Sequence, residues 1–507
     1  MITNDWLAKR ADLTPDKVAI IDTIAGQEHT YRGWNERANR TAHWLRDGLG
    51  IRKGDRVAVL ALNSMEYLDI WFALGKIGGI LQNLNWRLAV PELQAILADA
   101  EPTALIYSGE FAAQIQTLQP QLPAIPRWIA LDAPAYPDHE SFTQRDHFPN
   151  TSLPPFSLNW DDPWVICYTG GTTGLPKGAI LSHGNILWNS VNTITGWGLR
   201  PDDVAILNSP LFHTGGLNVF TAPLVHLGGT SILCKTFDPI QVFDLIESGG
   251  ATLFFGVPTM FTVMQQHPRW DAADFSKTRL VISGGAPCPL PIFQRFWAKG
   301  VDFKTGYGLT EAGPNTFWLP RLDVRRKPGA VGFPLMHIDI RIVDGAGNAC
   351  GPDEVGELLI RGPHVTPGYW NNPAATAAAI RDGWLHTGDL ARRDGEGYVT
   401  IVGRSKEMFI SGGENVYPAE VESVLHGHPA VTEAALIGVA DAKWGEVGRA
   451  FVVLRPGHSL AEADLLAYLR ERLAGYKVPK SVIFLPELPK TGAGKIDKKV
   501  LVDWLIG

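Results

Sequence analysis

Twice along this chain, over residues 54–110 and again over 203–285, strand-like apolar runs alternate with stretches of helical periodicity. In the first block DRVAVLAL and TALIYS alternate with SMEYLDIWFALGKI and VPELQAILADA; in the second, VAILNSP, ATLFFGVP and TRLVISGGAP enclose the helical TMFTVMQQ. That order predicts a wound α/β layer, a parallel sheet with helices packed on it. Prolines accumulate between about 134 and 163 and mark a surface connection. After 330 the texture changes to short, glycine-punctuated β runs (HIDIRIVD, GELLIRGP, GYVTIVGR), which predict a small antiparallel or barrel-like layer. It changes again near 405. There PAEVESVLHGH reads as a helix, EAALIGVAD and AFVVLRPG as strands, and SLAEADLLAYLRERL as a helix opened by a Ser459/Glu462 capping box. A chain of 507 residues exceeds one hydrophobic core. The expected fold is α/β: a large N-terminal domain of wound α/β subdomains plus a small β-rich layer, over residues 1–404, and a small C-terminal α+β domain over 405–507.

Composition narrows the function classes. With 45% hydrophobic and 19% charged residues the chain has the balance of an ordinary globular protein. A net charge of −7 offers no global basic field for nucleic acid, so an anionic ligand must be held by local cations and oriented amides. Cys167, Cys234, Cys288 and Cys350 are scattered without metal-ligand or disulfide spacing; they read as small core residues in a reducing compartment, and a cytoplasmic setting is expected. The N-terminus has charges where a signal peptide needs an apolar centre. YLDIWFALGKIGGILQ, interrupted by Asp69 and Lys76, reads as a buried helix and turn, not an integral membrane segment.

The chemistry-bearing stretch is CYTGGTTGLPKGAI, residues 167–180. Apolar PWVICYT predicts a buried strand, and the glycines after it permit positive φ and a close approach of backbone to ligand. Successive loop amides, hydroxyls and the Lys177 ammonium make a cradle for polyphosphate. The spacing departs from the common phosphate loop, since Pro176 precedes Lys177, and a short strand precedes the helix that starts near Ser182.

YTGGTTGLPKG resembles the signature loop of the adenylate-forming superfamily, which includes acyl- and aryl-CoA synthetases, the adenylation domains of peptide synthetases, and beetle luciferases. The resemblance assigns Thr169, Gly170, Gly171, Thr172, Thr173, Gly174 and Lys177 to ATP, with Gly170 where the family usually has Ser. Five further motifs follow in the family's order. SGGAP at 283–287, alone a strand-end turn, is similar to the adenine-side turn through Gly285 and Ala286. In GYGLTE at 306–311 the resemblance gives Tyr307 to adenine, Thr310 to the α-phosphate and Glu311 to Mg²⁺, a hard cation that wants carboxylate oxygen. WLHTGDLA supplies Asp389 for the ribose hydroxyls. VGRSKEMFISGGENVYP supplies Arg404 for ribose and phosphate, Lys406 at the hinge and Gly413 beside the pantetheine tunnel. PKTGAGKIDKKVL resembles the mobile loop whose lysine, here Lys495, neutralises charge between an attacking carboxylate and the α-phosphate.

The resemblance implies a two-step ligase using ATP, Mg²⁺ and coenzyme A, in which a carboxylate forms an acyl-adenylate and a thiol then displaces AMP while the mobile C-terminal domain rotates between steps. PLFHTGGLN at 210–218 favours the acid-CoA ligase branch, with His213 between acyl carboxylate and tunnel. By family position the acyl pocket is lined by Trp188, Leu217, Phe255, Gly284, Gly308, Ala312 and Asn315, together with Gly215 and Val257. It is mainly apolar, with Asn315 as a polar handle, and suits an aryl, alicyclic or fatty acid. A carrier-loading adenylating enzyme, an inactive nucleotide-binding homologue and a luciferase-like oxygenase are the alternatives. No carrier serine motif follows the Lys495 loop. Homodimers are common among similar proteins.

Overall fold

The computed structural model describes residues 5–132, 134, 136–154, 157–169, 176–491 and 494–506 of the 507-residue chain. Among these residues the fold is built on two seven-stranded sheets, a six-stranded antiparallel layer joined by one extra short strand, and a five-stranded C-terminal sheet. The two large sheets are the expected wound layers. In one, Arg56–Leu60 lies between Ile80–Asn83 and Ala104–Tyr107, all parallel. In the other, Lys304–Thr305, Leu280–Ser283, Leu253–Gly256, Val204–Leu207 and Thr230–Leu233 run side by side in parallel. Each large sheet closes on an antiparallel edge, Lys177–Ser182 in the first and Gln27–Thr30 in the second.

Local chemistry explains the element boundaries that matter for the site. YLDIWFALGKI is the buried helix Met65–Ile77, opened by Ser64, whose side chain accepts the Tyr67 N–H, and ended by Gly78 at φ +71°. Ser182 caps the helix His183–Trp197 in a reciprocal box with Asn185. The C-terminal prediction fails in one detail. The helix there is Glu462–Arg470 with Ala461 at its N-cap, so Ser459 caps nothing. Glu462 instead accepts the Val482 N–H at 2.7 Å, binding the helix to the strand Ser481–Phe484, because an unsatisfied strand-edge donor outbids a local turn. Of the four thiols, Cys167 and Cys234 are buried, whereas Cys288 and Cys350 are half-buried; none is in a disulfide.

The antiparallel layer runs in the order Phe317–Trp318, Ala330–Pro334, Val399–Arg404, Trp384–Arg393, Gly356–Arg361, Asp339–Val343. Its last sequential strand ends at Arg404, and the C-terminal sheet begins at Phe409. Among the described residues no helix is long and apolar enough to cross a membrane.

Candidate active site

The parallel strands Leu253–Gly256 and Leu280–Ser283 pair with Gly256 opposite Ser283, so both deliver their following turns to one edge of the sheet. Open α/β sheets place ligands at that carboxyl edge. Gly285 turns there at φ +80°, and a Cβ on it would lie 3.4 Å from Lys495 Cε and 3.5 Å from Val257 Cγ1. The lysine from the far end of the chain is therefore laid across the turn. Its own loop holds it: the Gly494 N–H donates to Thr491 O at 2.8 Å, and the Lys495 N–H donates to Thr491 Oγ1 at 3.3 Å. Thr259 Oγ1, from the helix Pro258–Gln266, donates to Gly494 O at 3.4 Å across the domain boundary. Burial, reinforced by Arg404 and opposed by Asp389, pulls the Lys495 ammonium down to about 8.

His213 caps the short helix Thr214–Asn218, its Nδ1 accepting the Gly215 N–H at 3.2 Å. Burial and then the charge of Lys495 lower it to about 4, which keeps the imidazole neutral near pH 7.

Opposite these groups stands a carboxylate set. Asp389, on the strand Trp384–Arg393, is the antiparallel Cα partner of Arg404. Tyr307 OH donates to Asp389 Oδ2 at 2.5 Å, Arg404 Nε lies 3.4 Å from Oδ1, and the Asp389 N–H donates to Thr387 Oγ1 at 3.0 Å. Burial raises the Asp389 carboxyl against the opposing pull of Tyr307 and Arg404. Glu311 Oε1 accepts from Tyr369 OH at 2.9 Å and from Thr169 Oγ1 at 3.5 Å. Lys177 Nζ sits 5.3 Å from the centre of the Tyr369 ring. Thr169 and Lys177 are Cα partners across the hairpin that carries the signature loop, so Thr169, Lys177 and Glu311 converge. Gly170, Gly171, Thr172, Thr173 and Gly174 lie outside the described residues.

Among the described residues no cluster of three His, Cys, Asp or Glu side chains could hold a metal ion. The donor set fits a magnesium ion carried largely on phosphate oxygens, with Glu311 as the protein carboxylate. Thr310, at 8% exposure, lies in the same short turn, Thr310–Ala312.

The acyl-side residues divide into two groups. Phe255 stands between two glycines: a Cβ on Gly284 would meet its Cε2 at 2.8 Å, and one on Gly215 its Cε1 at 3.4 Å. A Cβ on Gly215 would also lie 3.5 Å from His213 Nδ1, so the ring and the imidazole flank the same glycine. Leu217 and Ala312 are fully buried. Gly308 faces the Pro314 carbonyl, which a Cβ would approach to 2.3 Å, so its role is close backbone packing. Trp188 turns edge-on to His337 at 5.0 Å. Asn315 is not a free polar handle. Its amide donates to Thr193 Oγ1 at 2.8 Å and to Val219 O at 3.1 Å, which makes it a framework tie between the 308–316 loop and the long helix. Gly413 lies at the exposed turn of the hairpin Phe409–Val416 at φ +90°, and Ala286 follows Gly285 in the turn after Leu280–Ser283. Lys406, beside Arg404, has its pKa lowered by burial and by that neighbouring cation. Tyr369, which shares Glu311 and faces Lys177, is a site residue that sequence reasoning missed; HVTPGYW carries no motif of its own.

Lys177 beside Glu311, and Lys495 with Arg404 beside Asp389, suit a polyanion, and the Tyr307–Asp389 pair has the polarity of a nucleoside. The fold and the site are those of a two-domain nucleotide-activating enzyme. The chain belongs to the AMP-binding enzyme family, whose profile matches residues 7–370, and the AMP-binding enzyme C-terminal domain profile matches residues 420–495. It is 44% identical over 493 residues to a feruloyl-CoA synthase of Amycolatopsis sp, covering 97% of each chain. It is 39% identical to an indoleacetate–CoA ligase of Aromatoleum aromaticum, covering 98% of this chain and 97% of that one. Among solved structures, ATP-bound MatB from Rhodopseudomonas palustris superposes with a TM-score of 0.90 at 34% identity, covering 99% of both chains. The apo form of MatB gives a TM-score of 0.79 at 35% identity, covering 99% of both chains.

Proposed function

We propose that this protein joins a planar, apolar carboxylic acid to coenzyme A, converting acid, ATP and CoA into acyl-CoA, AMP and pyrophosphate. The observation that carries the reading is the seat of Lys495 on Gly285, within the electrostatic reach of His213, Asp389 and Arg404. In the first step a carboxylate oxygen bonds to the α-phosphorus of ATP and the bond to pyrophosphate breaks. Two anions repel, and a preplaced ammonium removes that repulsion without reorganisation. Asp389 accepts ribose hydroxyls, Tyr307 lies against the base, and Thr310 meets the α-phosphate. Glu311 would hold Mg²⁺, which supplies charge neutralisation on the phosphates. In the second step the thiol of CoA bonds to the acyl carbon and AMP leaves. No side-chain nucleophile is needed.

The acid is read as aromatic. The Phe255 ring packed between Gly215 and Gly284 gives this side of the site an aromatic, apolar lining. The two curated relatives named above act, by name, on feruloyl and indoleacetate groups. The division at 404/405, a pivot at Lys406 and delivery of Gly413 to the pantetheine path in the second step belong to the same reading. The absence of disulfides among the four thiols supports a cytoplasmic setting, and a homodimer is to be sought by sedimentation.

A panel of hydroxycinnamic, indolic, benzoic, alicyclic and fatty acids, scored for pyrophosphate release with and without CoA, tests this. Aromatic acids should lead, with thioester formed only when CoA is present. ATP binding without acid-dependent pyrophosphate release would overturn the ligase reading, and a fatty acid leading the panel would overturn the aromatic one.

A further inference from the structure

Lys304 is buried to 3% exposure, yet among the described residues no carboxylate lies within ion-pair distance of it. Its Nζ donates to Leu319 O at 3.0 Å and lies 3.2 Å from the centre of the Trp318 ring. An ammonium held by one carbonyl and an indole face is costly to bury, and an apolar side chain of equal length would fill the space at less cost. Its position supplies a reason. Lys304 belongs to the edge strand Lys304–Thr305 of a parallel sheet, opposite Ile282. Trp318 belongs to the edge strand Phe317–Trp318 of the antiparallel layer. The segment between these two strands carries Tyr307, Thr310 and Glu311. Higher in that segment the Thr316 N–H donates to Tyr307 O at 3.0 Å, so Lys304 closes the base of a loop already narrowed above. One sheet brings Gly284 and Gly285; the other layer brings Asp389 and Arg404.

We propose that Lys304 is a positioning residue: its side chain bridges the edges of the two sheets, ties together the two ends of the loop bearing Tyr307, Thr310 and Glu311, and so sets the seat of the nucleoside. Burial, set against Asp302 and reinforced by Arg279, lowers the lysine to about 7, so the strength of the bridge falls as the ammonium titrates. Asp302 is paired with Arg321 and Arg325, and Arg279 with Asp203.

The inference rests on the reading of this site as a nucleotide site, and AMP binding by calorimetry separates the two. In Lys304→Met, the AMP dissociation constant and the KM for ATP should rise ~tenfold, the scale of one lost charged hydrogen bond, while the KM for the acid holds within twofold. In Lys304→Arg, which keeps the cation at every pH, AMP affinity should change less between pH 6.5 and 8.5 than in the wild type; Lys495 titrates equally in both. Wild-type protein that takes up no AMP would refute the nucleotide reading. AMP bound equally by wild type and Lys304→Met, or identical pH profiles for wild type and Lys304→Arg, would refute the bridge alone, and the second comparison stands if the Met variant does not fold.

Discussion

Replacing Lys495 with Met should make the ligand-free protein more stable and the first half-reaction much slower. Burial lowers the ammonium from 10.5 to about 8, and at about 1.36 kcal/mol per pH unit that is roughly 3 kcal/mol spent at pH 7 on keeping the charge against Gly285. The sign follows from proton counting. Between pH 8 and 10.5 the unfolded chain binds the proton more fully than the folded one, so stability rises with pH across that window and the whole cost is borne below it. Met, of similar length and uncharged, avoids the cost. The gain should be up to ~3 kcal/mol at pH 7 and vanish by about pH 10.5, with rotation of the C-terminal domain able to relieve part of it. Acid-dependent pyrophosphate release should fall ~100-fold or more, because the charge that screens carboxylate from phosphate is gone. Thermal unfolding at pH 7 and pH 10 reads the first effect; pyrophosphate release and thioester formation from supplied acyl-adenylate read the second. A variant less stable than wild type at pH 7, or one that loses both half-reactions equally, would refute the reasoning.

Lys406→Pro should spare pyrophosphate release and slow thioester formation, since proline fixes φ at the proposed pivot; unchanged thioester output rules the pivot out. Tyr307→Phe deletes the 2.5 Å bond to Asp389 and should raise the KM for ATP ~tenfold. Because burial already raises Asp389 and the Tyr307 bond opposes it, that variant should also lose AMP affinity on acidification at a higher pH than wild type, as measured by AMP titration. Burial holds His183, His213, His364 and His426 near 4, so the folded state cannot take up protons that the unfolded chain accepts near 6.5. Stability should fall steadily as the pH drops from 6.5 to 4, and His364→Leu, at a fully buried ring with no partner on either nitrogen, should flatten the slope of melting temperature against pH.

The elements that sequence reveals here are those set by local order: the strand before the signature loop, the helix start near Ser182, and the succession of SGGAP, GYGLTE, Asp389, Arg404 and Lys495. Each depends on residues within a few positions of one another. What escapes depends on contacts between distant segments. Nothing near Lys304 shows that Leu319 O will need a donor, and nothing near Tyr369 shows that Lys177 and Glu311 will meet it. Asn315 looks like a substrate contact until the long helix supplies Thr193 as its partner. Ser459 and Glu462 match a capping box, yet a strand 20 residues away takes the glutamate.

The cross-strand pairing of Asp389 with Arg404 has a practical consequence for anyone recombining such enzymes. On the proposed assignment, in which Asp389 and Arg404 hold the ribose and the chain pivots at Lys406, a chimera spliced after 404 inherits an intact nucleoside seat from one parent and Lys495 from the other. A splice even a few residues earlier would divide a single hydrogen-bonded ladder between two lineages, and the graft would fail at its grip on AMP before its choice of acid was ever tested.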